Sequence, residues 1–291
     1  DAVSRIDESK GKKNKGDFCL WKRSKKGEPS WKSPWFEGRP GWHIEDTAIT
    51  ETFFGEQYDM HGGAQDLIFP HHEAEITQME AASGKKPFVK YWLHTGFLNV
   101  NGQKMSKSLG NFITIKDAVD KWGADALRFL FAEVHYRAPI NFTEESIKSA
   151  KAGLMTLENA ITGAKAKLKS AVKGKKDLVI VTELKELKKR FYDAMDEDFN
   201  TPKAAAELFE AAHILNKIDG NKATLKMGLE TLDELCGVFG VSFAEAAEVP
   251  DKIMELVKRR ENARLSKDWK EADRLRDEIN DHGFSLDDTS D

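Results

Sequence analysis

Cysteine, proline and long hydrophobic runs are all scarce in this sequence, which has 2 cysteines and 8 prolines in 291 residues. Cys19 and Cys236 lie far apart without a CxxC spacing, which excludes a disulfide framework and an all-cysteine zinc site. We expect both thiols to be reduced and buried. Apolar runs are short and interrupted by charge, and the first residues do not resemble a secretory signal. The sequence therefore predicts no membrane span and a cytoplasmic location.

An excess of positive charge is also missing. The sequence has 45 Lys and Arg against 49 Asp and Glu, a net charge of -4, which argues against a protein that coats nucleic acid indiscriminately. Local basic stretches remain at 10–15, 22–26 and 258–264. The hydrophobic content of 40% is enough for the cores of about two domains. Because the chain starts at Asp1 without an initiator Met, we interpret it as a piece of a longer protein.

A lysine loop is the most distinctive motif. Lys104 and Lys107 lie in a run of Gly and small polar residues, GQKMSKSLGN, at 102–111. Two ammonium groups in such a run favour a mobile loop that closes on a polyphosphate, although a solvated basic loop is the simpler interpretation. A strand predicted over 88–100 leads into the loop, and open α/β folds keep nucleotides at the end of such a strand.

A second motif combines histidine and acid. The helix predicted after Pro70 places His71 and Glu75 at i and i+4, on the same face. An imidazole and a carboxylate can supply two metal ligands, but two are too few for a closed site and the HExxH motif is absent. An ordinary hydrogen-bonded pair is equally compatible with the spacing. Upstream, Gly62 and Gly63 follow His61 and let a backbone approach a ligand closely.

The periodicity divides the chain into an α/β part and an all-α part. Residues 1–40 are predicted to be irregular, followed by a helix from Asp46, a strand at 58–60 and helices on either side of Gly123. Apolar residues at three- and four-residue spacing then predict a helical bundle with segments 146–172, 182–196, 202–218 and 222–239. A terminal helix is predicted to present one apolar face, formed by Trp269, Ala272, Leu275 and Ile279.

Several ordered blocks together resemble the cysteinyl-tRNA synthetases, a family of class I aminoacyl-tRNA synthetases. The blocks are GWHIE at 41–45, HGG at 61–63, DL at 66–67, FPHHE at 69–73, WLHTGFL at 92–98, KMSKS at 104–108, DALR at 125–128 and DFNTP at 198–202. The resemblance covers essentially the whole chain. It implies the C-terminal half of a Rossmann-type catalytic domain, followed by an anticodon-binding helical bundle and a small C-terminal domain.

The resemblance also implies domain limits and an activity. Residues 1–105 would complete the nucleotide-binding domain, 106–145 would carry the lysine loop and stem-contact region, 146–246 the bundle, and 247–291 the anticodon-contacting domain. The implied reaction is activation of L-cysteine by ATP, with Mg2+, to cysteinyl-adenylate and transfer to tRNA(Cys). The family's N-terminal half, with its His-Ile-Gly-His motif, is not in these residues. We therefore expect an N-terminal synthetase half as a partner, and an inactive chain without it.

Residue by residue, the resemblance assigns substrate contacts. Lys104 and Lys107 would hold the pyrophosphate moiety during adenylate formation. Trp42, His61, Gly62, Gly63 and Asp66 would lie near the adenosine and the amino acid.

The resemblance further implies a zinc ion that binds the substrate thiolate. His71 and Glu75 match two of the family's ligands, whereas Asp46 stands where the family carries a ligating cysteine. Because a carboxylate can ligate zinc, the site is either altered or lost.

In the terminal domain, the resemblance implies that four residues contact anticodon bases: Arg264, Trp269, Asp273 and Asp288. Helical periodicity alone instead favours Trp269 as a core anchor. Two other functions share part of this pattern. A ligase that joins cysteine to an amino sugar shares the lysine loop but is disfavoured by the 264–288 block. A non-catalytic tRNA-binding or regulatory fragment or paralogue of the synthetase is favoured by the missing phosphate motif and disfavoured by the intact loop.

Overall fold

The computed structural model describes residues 11–106, 109–243 and 250–282, together with Phe284 and Leu286. The chain divides into two compact units, residues 1–242 and 243–291. In the part of the chain that is described, no helix is both long enough and apolar enough to cross a bilayer.

The first unit opens with a hairpin and a helix. Strand β1 (Trp21–Arg23) pairs antiparallel with β2 (Gly38–Pro40), in a region that the sequence predicted to be irregular. Helix α1 (Trp42–Phe54) begins four residues before the predicted start at Asp46. A Cβ on Gly41 would lie 2.0 Å from the carbonyl oxygen of Cys19, so glycine is required where the chain passes from β2 into α1.

A parallel βαβ unit follows. Strand β3 (Tyr58–Ala64) pairs in parallel with β4 (Val89–Thr95), and helix α2 (Glu73–Ser83) provides the crossover. A short 3-10 turn (Gln65–Leu67) and a kinked segment (Ile68–His72), in which Phe69 has an extended backbone, lead from β3 into α2, with a cis peptide bond before Pro70. The unit has its own apolar core, formed by Met79, Phe88 and Val89 with Tyr58, Ile76 and Trp92 around them.

The prediction of one strand over 88–100 is wrong. The chain leaves β4 at Thr95, and β5 (Leu98–Val100) belongs to a different sheet, between β6 (Gln103–Lys104) and β7 (Ile140–Phe142). Gly96 is the cause of the break, since its amide donates to the carbonyl of Tyr136 at 2.7 Å. A Cβ there would lie 2.3 Å from the carbonyl oxygen of Ala138.

Two short helices connect the α/β part to the bundle. As predicted, α3 (Ile115–Trp122) and α4 (Ala124–Ala132) are separated at Gly123, whose φ of 87° lies in the left-handed region. Phe129 of α4 is fully buried and its ring packs edge-on against Phe209. A Cβ on Gly153 would lie 2.9 Å from the Phe129 ring, so this glycine lets α4 approach the bundle closely.

The predicted helical bundle is confirmed. It consists of α5 (Glu144–Ser170), α6 (Leu178–Asp196), α7 (Thr201–Lys217) and α8 (Lys222–Val238). Helix α6 begins four residues before its predicted start, because Asp177 accepts hydrogen bonds from the amides of Val179 and Ile180 and caps the helix there. The core is built from apolar residues at helical spacing, among them Ile147, Leu157, Leu184, Leu187, Phe191, Leu208, Leu215, Leu225 and Leu232.

The second unit contains helices α9 (Asp251–Leu265) and α10 (Trp269–Asp281). Ile253, Leu256, Leu275 and Ile279 form its buried core. The prediction that Trp269 shares this face is wrong, because its side chain is 59% exposed. The buried stripe of α10 begins only at Ala272, so the core-anchor interpretation of Trp269 is excluded.

The two cysteines differ in environment. Cys236 is buried in α8, as expected, but Cys19 is exposed. The expectation is wrong for Cys19 because it lies on an open segment before β1, where its thiol donates to the carbonyl of Trp21 at 3.3 Å.

Candidate metal and nucleotide site

The start of α1 brings aromatic groups against His71. The Trp42 ring stacks on the His71 ring with centroids 4.2 Å apart and an angle of 20° between the planes. The Trp42 ring also stacks on the His43 ring, with centroids 5.5 Å apart, and Nδ1 of His43 lies 2.7 Å from Nδ1 of His71. Because Trp42 is half exposed while His71 is buried, the indole separates the imidazole from solvent.

Asp46, His71 and Glu75 converge at one point. Nε2 of His71 lies 2.7 Å from Oδ2 of Asp46 and 3.1 Å from Oε1 of Glu75. One ligand atom from each of the three residues falls within 4.8 Å of the others, as in a metal-binding group. The i, i+4 spacing on α2 supplies the histidine and one acid, and α1 supplies the second acid.

The environment of Glu75 fits a bound cation. The residue is 1% exposed, and although Nε2 of His71 lies 3.1 Å from Oε1, neither carboxylate oxygen accepts a hydrogen bond of suitable geometry from the described residues. Burial, reinforced by the nearby Asp46, raises the pKa of Glu75 to about 7. A buried carboxylate without hydrogen bonds is costly unless a cation compensates it. Two carboxylates and one imidazole are an acceptable ligand set for zinc and for harder divalent ions.

Glu75 also belongs to a second group of possible ligands, together with His61 and His72. His61, His72 and Glu75 also place ligand atoms within 4.8 Å of one another. Burial lowers the pKa of His72 to about 4, with His61 and His94 adding to the effect, and burial likewise lowers the pKa of His61. These imidazoles are therefore neutral near pH 7, the form in which imidazole ligates metals and accepts hydrogen bonds.

Neighbouring side chains hold these rings in place. The hydroxyl of Tyr58 lies 2.5 Å from Nδ1 of His61, and Nδ1 of His72 lies 2.8 Å from Nε2 of His94. The ring of Trp92, which faces His61 across the β3–β4 pair, stacks on it with centroids 4.7 Å apart. Such outer contacts orient ligands and their neighbours.

The two glycines of β3 play different structural parts. A Cβ on Gly63 would lie 2.6 Å from Cε1 of His72, so glycine is needed for the ring to lie against β3. A Cβ on Gly62 would meet only the Leu93 carbonyl, at 3.9 Å. Close packing against His72 therefore requires glycine at position 63, whereas position 62 has room for a side chain.

Lys104 lies at the end of β6. Its Nζ is 3.5 Å from Oδ2 of Asp66 and 4.3 Å from the centroid of the Phe97 ring. The predicted pyrophosphate contact Lys104 and the predicted substrate contact Asp66 are thus neighbours. Asn111 closes the start of the lysine loop, since it accepts from the Ser106 amide and donates to the Lys104 carbonyl. The predicted site residue Lys107 lies outside the described residues.

In the second unit, three of the four predicted anticodon contacts lie near the turn between α9 and α10. Arg264 lies in the last turn of α9, and Trp269 is the first residue of α10. Arg264, Trp269 and Asp273 all have exposed side chains. Asp288 lies outside the described residues.

Three family profiles match consecutive parts of the chain. Residues 1–152 match the family described as tRNA synthetases class I (C) catalytic domain, and residues 190–244 match the DALR domain. Residues 246–291 match the cysteinyl-tRNA ligase anticodon binding domain. The chain belongs to the class I cysteinyl-tRNA synthetase family.

Curated members of the synthetase family are similar along nearly the whole chain. Proteins named cysteine--tRNA ligase from Caldicellulosiruptor saccharolyticus and Thermococcus onnurineus are each 42% identical, over 99% and 98% of this chain. One from Methanococcus maripaludis is 44% identical over 98%. The chain spans only 62–63% of the length of these relatives.

A solved structure supports the class I fold. It is the LeuRS of Agrobacterium radiobacter K84 agnB2 in a ternary complex with tRNA and LeuAMS, and it matches 74% of this chain and 34% of its own length. The TM-score is 0.55 at 16% identity, a likeness that concerns the fold alone.

Sequence reasoning did not single out Tyr58, His72 or His94 as site residues. Each lies within a recognisable segment, but their mutual contacts depend on the β3–β4 pairing and the turn before α2. The sequence features that could have indicated two of them are the adjacent histidines at 71–72 and the single His94 within an aromatic strand.

Proposed function

We propose that this chain is the larger part of a cysteine–tRNA ligase. The complete enzyme would activate L-cysteine with ATP to form cysteinyl-adenylate and transfer the cysteinyl group to the 3' end of tRNA(Cys). The convergence of Asp46, His71 and Glu75 carries this proposal, because it occurs within the segment that matches the class I catalytic domain.

Asp46, His71 and Glu75 would hold a zinc ion, with Asp46 replacing the family's cysteine. When bound there, zinc would supply a metal–thiolate bond that distinguishes cysteine from serine. The protein's own contribution is to keep the site rigid and dry. Trp42 covers the His71 ring, and ligand atoms of the neutral His61 and His72 lie within 4.8 Å of one from Glu75.

Lys104 and Lys107 would bind the phosphates of ATP with Mg2+. A cation placed where charge develops in the transition state stabilises phosphoryl and adenylyl transfer. Asp66 lies 3.5 Å from the Lys104 ammonium, so it orients this lysine before substrate arrives. His61, Gly62 and Gly63 lie on β3, which leads into the turn that carries Asp66, and would line the adenosine and cysteine positions.

The helical parts would bind tRNA. We assign 1–105 to the nucleotide-binding domain, 106–145 to the lysine loop and stem-contact region, 146–246 to the bundle and 247–291 to the anticodon-contacting domain. Arg264, Trp269, Asp273 and Asp288 would contact anticodon bases, by hydrogen bonding and by stacking on the exposed indole. The enzyme would act in the cytoplasm.

Cysteine-dependent ATP–pyrophosphate exchange tests the proposal. The chain would be assayed alone and together with a polypeptide that supplies the N-terminal half of the nucleotide fold. We expect exchange only with both parts present, and with cysteine but not serine. Binding of tRNA(Cys) by a combination that gives no exchange would overturn the catalytic assignment and favour a tRNA-binding paralogue.

A further inference from the structure

A cleft of about 430 Å³ lies between the end of β4 and the loop that precedes β7. Its lining includes one cation and several flat rings, and consists largely of Gln65, Trp92, His94, Phe97, Tyr136 and Arg137. The volume lies in the range of small-ligand pockets. Aromatic faces next to a cation are the combination that proteins use to bind nucleotides without reading their sequence.

Arg137 presents its guanidinium at this cleft. Its Nε lies 2.7 Å from Oδ2 of Asp198 and donates to the Tyr136 hydroxyl at 3.1 Å. The two terminal nitrogens, Nη1 and Nη2, make no hydrogen bond to any residue in the described ranges, and the side chain is 64% exposed. A guanidinium held through Nε keeps its two terminal amino groups for a phosphate, which they bind in a bidentate manner.

Contacts from Gln65 and Gly96, which follow strands β3 and β4, fix the backbone around Arg137. The side-chain amide of Gln65 donates to the Arg137 carbonyl at 3.1 Å, and the Gly96 amide donates to the Tyr136 carbonyl at 2.7 Å. Gly96 has no room for a side chain, because the Ala138 backbone lies against it. The loop therefore cannot move away from the end of β4 without breaking these contacts.

Asp198 fixes the same loop from the bundle. It accepts from the Tyr136 hydroxyl at 2.7 Å in addition to its contact with Arg137. Asp198 and Phe199 have φ values of 55° and 52°, a conformation that helix ends usually assign to glycine. Backbone strain of this kind persists where surrounding contacts impose it, and at Asp198 these are its contacts with Tyr136 and Arg137.

A second cation adjoins the cleft. Phe97 is part of the cleft lining, and Nζ of Lys104 lies 4.3 Å from the centroid of its ring. Arg137 is also close enough to His94 to contribute, after burial, to lowering the pKa of that imidazole. The cleft thus places two cationic side chains, each already beside one carboxylate, next to aromatic rings, a combination that suits an anion attached to a flat ring.

We propose that Arg137 binds a phosphate group of a nucleotide whose base stacks in this cleft, and that Asp198 positions Arg137 for that contact. The nucleotide is either ATP or the single-stranded 3' end of an RNA, which share this chemistry. The proposal deepens the proposed function and rests on it for the choice of these two ligands.

Direct binding measurements on the 291-residue chain test the proposal. The probes are ATP and a fluorescein-labelled, CCA-ending RNA tetranucleotide, each titrated over a range of salt concentrations. We expect Arg137→Gln to weaken binding of one probe by between about 10- and 100-fold, as for loss of a charged hydrogen bond. For the RNA, the slope of log K against log salt should fall by about 0.7, as for one phosphate contact.

Two further variants serve as controls. Arg137→Lys keeps the charge and should restore the salt slope while recovering only part of the affinity. Arg190→Gln removes another exposed arginine, 51% exposed against 64% for Arg137, which pairs with Glu207 on the bundle, and should leave binding unchanged. Equal behaviour of Arg137→Gln and Arg190→Gln, or no binding of either probe to the wild-type chain, would overturn the proposal.

Asp198→Asn tests positioning by the sign of its effect. The substitution removes a negative charge beside the proposed phosphate, so a purely electrostatic role predicts tighter binding. Loss of positioning predicts weaker binding, by about 3-fold or more, because Arg137 is released while its charge remains. Tighter binding in Asp198→Asn would overturn the positioning role.

The two proposals fail in different ways. If nucleotide binding depends on Arg137 but no cysteine-dependent exchange is found, the proposal for the cleft stands and the ligase assignment is overturned. If cysteine-dependent exchange is found but both probes bind independently of Arg137, the ligase assignment stands and the proposal for the cleft is overturned.

Discussion

Oδ2 of Asp46 lies 2.7 Å from Nε2 of His71, although the two residues come from different helical segments. The contact makes Asp46 part of the same group as the buried Glu75. If zinc binds here as proposed, its retention should depend on Asp46, which stands where the resemblance implies a cysteine in the family.

Asp46→Ala should lower zinc affinity by more than about 10-fold, since even outer partners of metal ligands contribute that much. The purified wild-type protein should contain about one zinc per chain by elemental analysis. Asp46→Cys should retain the metal because thiolate is a favourable zinc ligand. Asp59→Ala is the matched control, since Asp59 is an exposed acid paired with Lys90. Full cysteine-dependent exchange by the metal-free chain together with its N-terminal half would contradict the zinc assignment.

Gly63→Ala should destabilise the first unit by about 1–3 kcal/mol, as for overpacking of a filled site. The new methyl would lie 2.6 Å from the His72 ring and would displace it from His94. Urea denaturation followed by circular dichroism measures the change. Gly62→Ala, whose methyl finds open space up to 3.9 Å, should stay within about 0.5 kcal/mol of wild type. Equal effects of the two would show that His72 does not limit the packing.

Phe191→Ala should cost about 3–5 kcal/mol of unfolding free energy because Phe191 is completely buried in the bundle core. The same helix provides a control in Val179→Ala, since Val179 is exposed and should change stability by less than about 0.5 kcal/mol. Thermal and urea unfolding should agree. A small loss for Phe191→Ala would mean that the bundle core is not packed as described.

Cys236 should make the protein less stable in alkali. Burial, with a smaller contribution from Asp233, raises the pKa of this thiol from 9.0 to about 12. Between pH 9 and 12 the unfolded chain has lost a proton that the folded chain retains. The free energy of unfolding should therefore fall by about 1.4 kcal/mol per pH unit from this group.

Cys236→Ala should remove that part of the pH slope, measured by urea denaturation at several values above pH 9. Because the comparison concerns slopes, the constant cost of the cavity does not affect it. Iodoacetamide should modify the exposed Cys19 in the native protein and spare Cys236. Identical slopes in the two proteins would contradict the raised pKa.

Trp269→Ala should weaken tRNA(Cys) binding and make the protein less sensitive to an anticodon base change. Stacking of a base on an exposed aromatic ring contributes about 1–3 kcal/mol. Filter binding with wild-type and anticodon-substituted tRNA measures the difference. Met254→Ala, an exposed apolar residue of the same unit, serves as control. If both tRNAs respond equally to Trp269→Ala, the indole does not contact the anticodon.

The helices were predictable because their signals are local. Apolar spacing located the four bundle helices to within a few residues, and Gly123 marked the break between α3 and α4. The errors arose where a distant partner decides the outcome. Nothing within 88–100 indicates that the Tyr136 carbonyl and the Ala138 backbone divide this segment between two sheets.

The candidate site shows the same division. The helical spacing alone placed His71 and Glu75 on one face. Asp46 was found only through the family resemblance, since its position opposite His71 depends on how α1 packs on α2. The contact between Arg137 and Asp198 joins residues far apart in sequence and has no local signature.

Trp92 and His94 lie two residues apart on one side of strand β4, where Trp92 stacks on His61 and His94 hydrogen-bonds to His72. Because side chains alternate along a strand, removing a single residue between Val89 and Trp92 would turn both rings toward the opposite face. His61 would lose its stacking partner and His72 its hydrogen bond in the same event. Substitutions in this stretch should be far better tolerated than any change in its length.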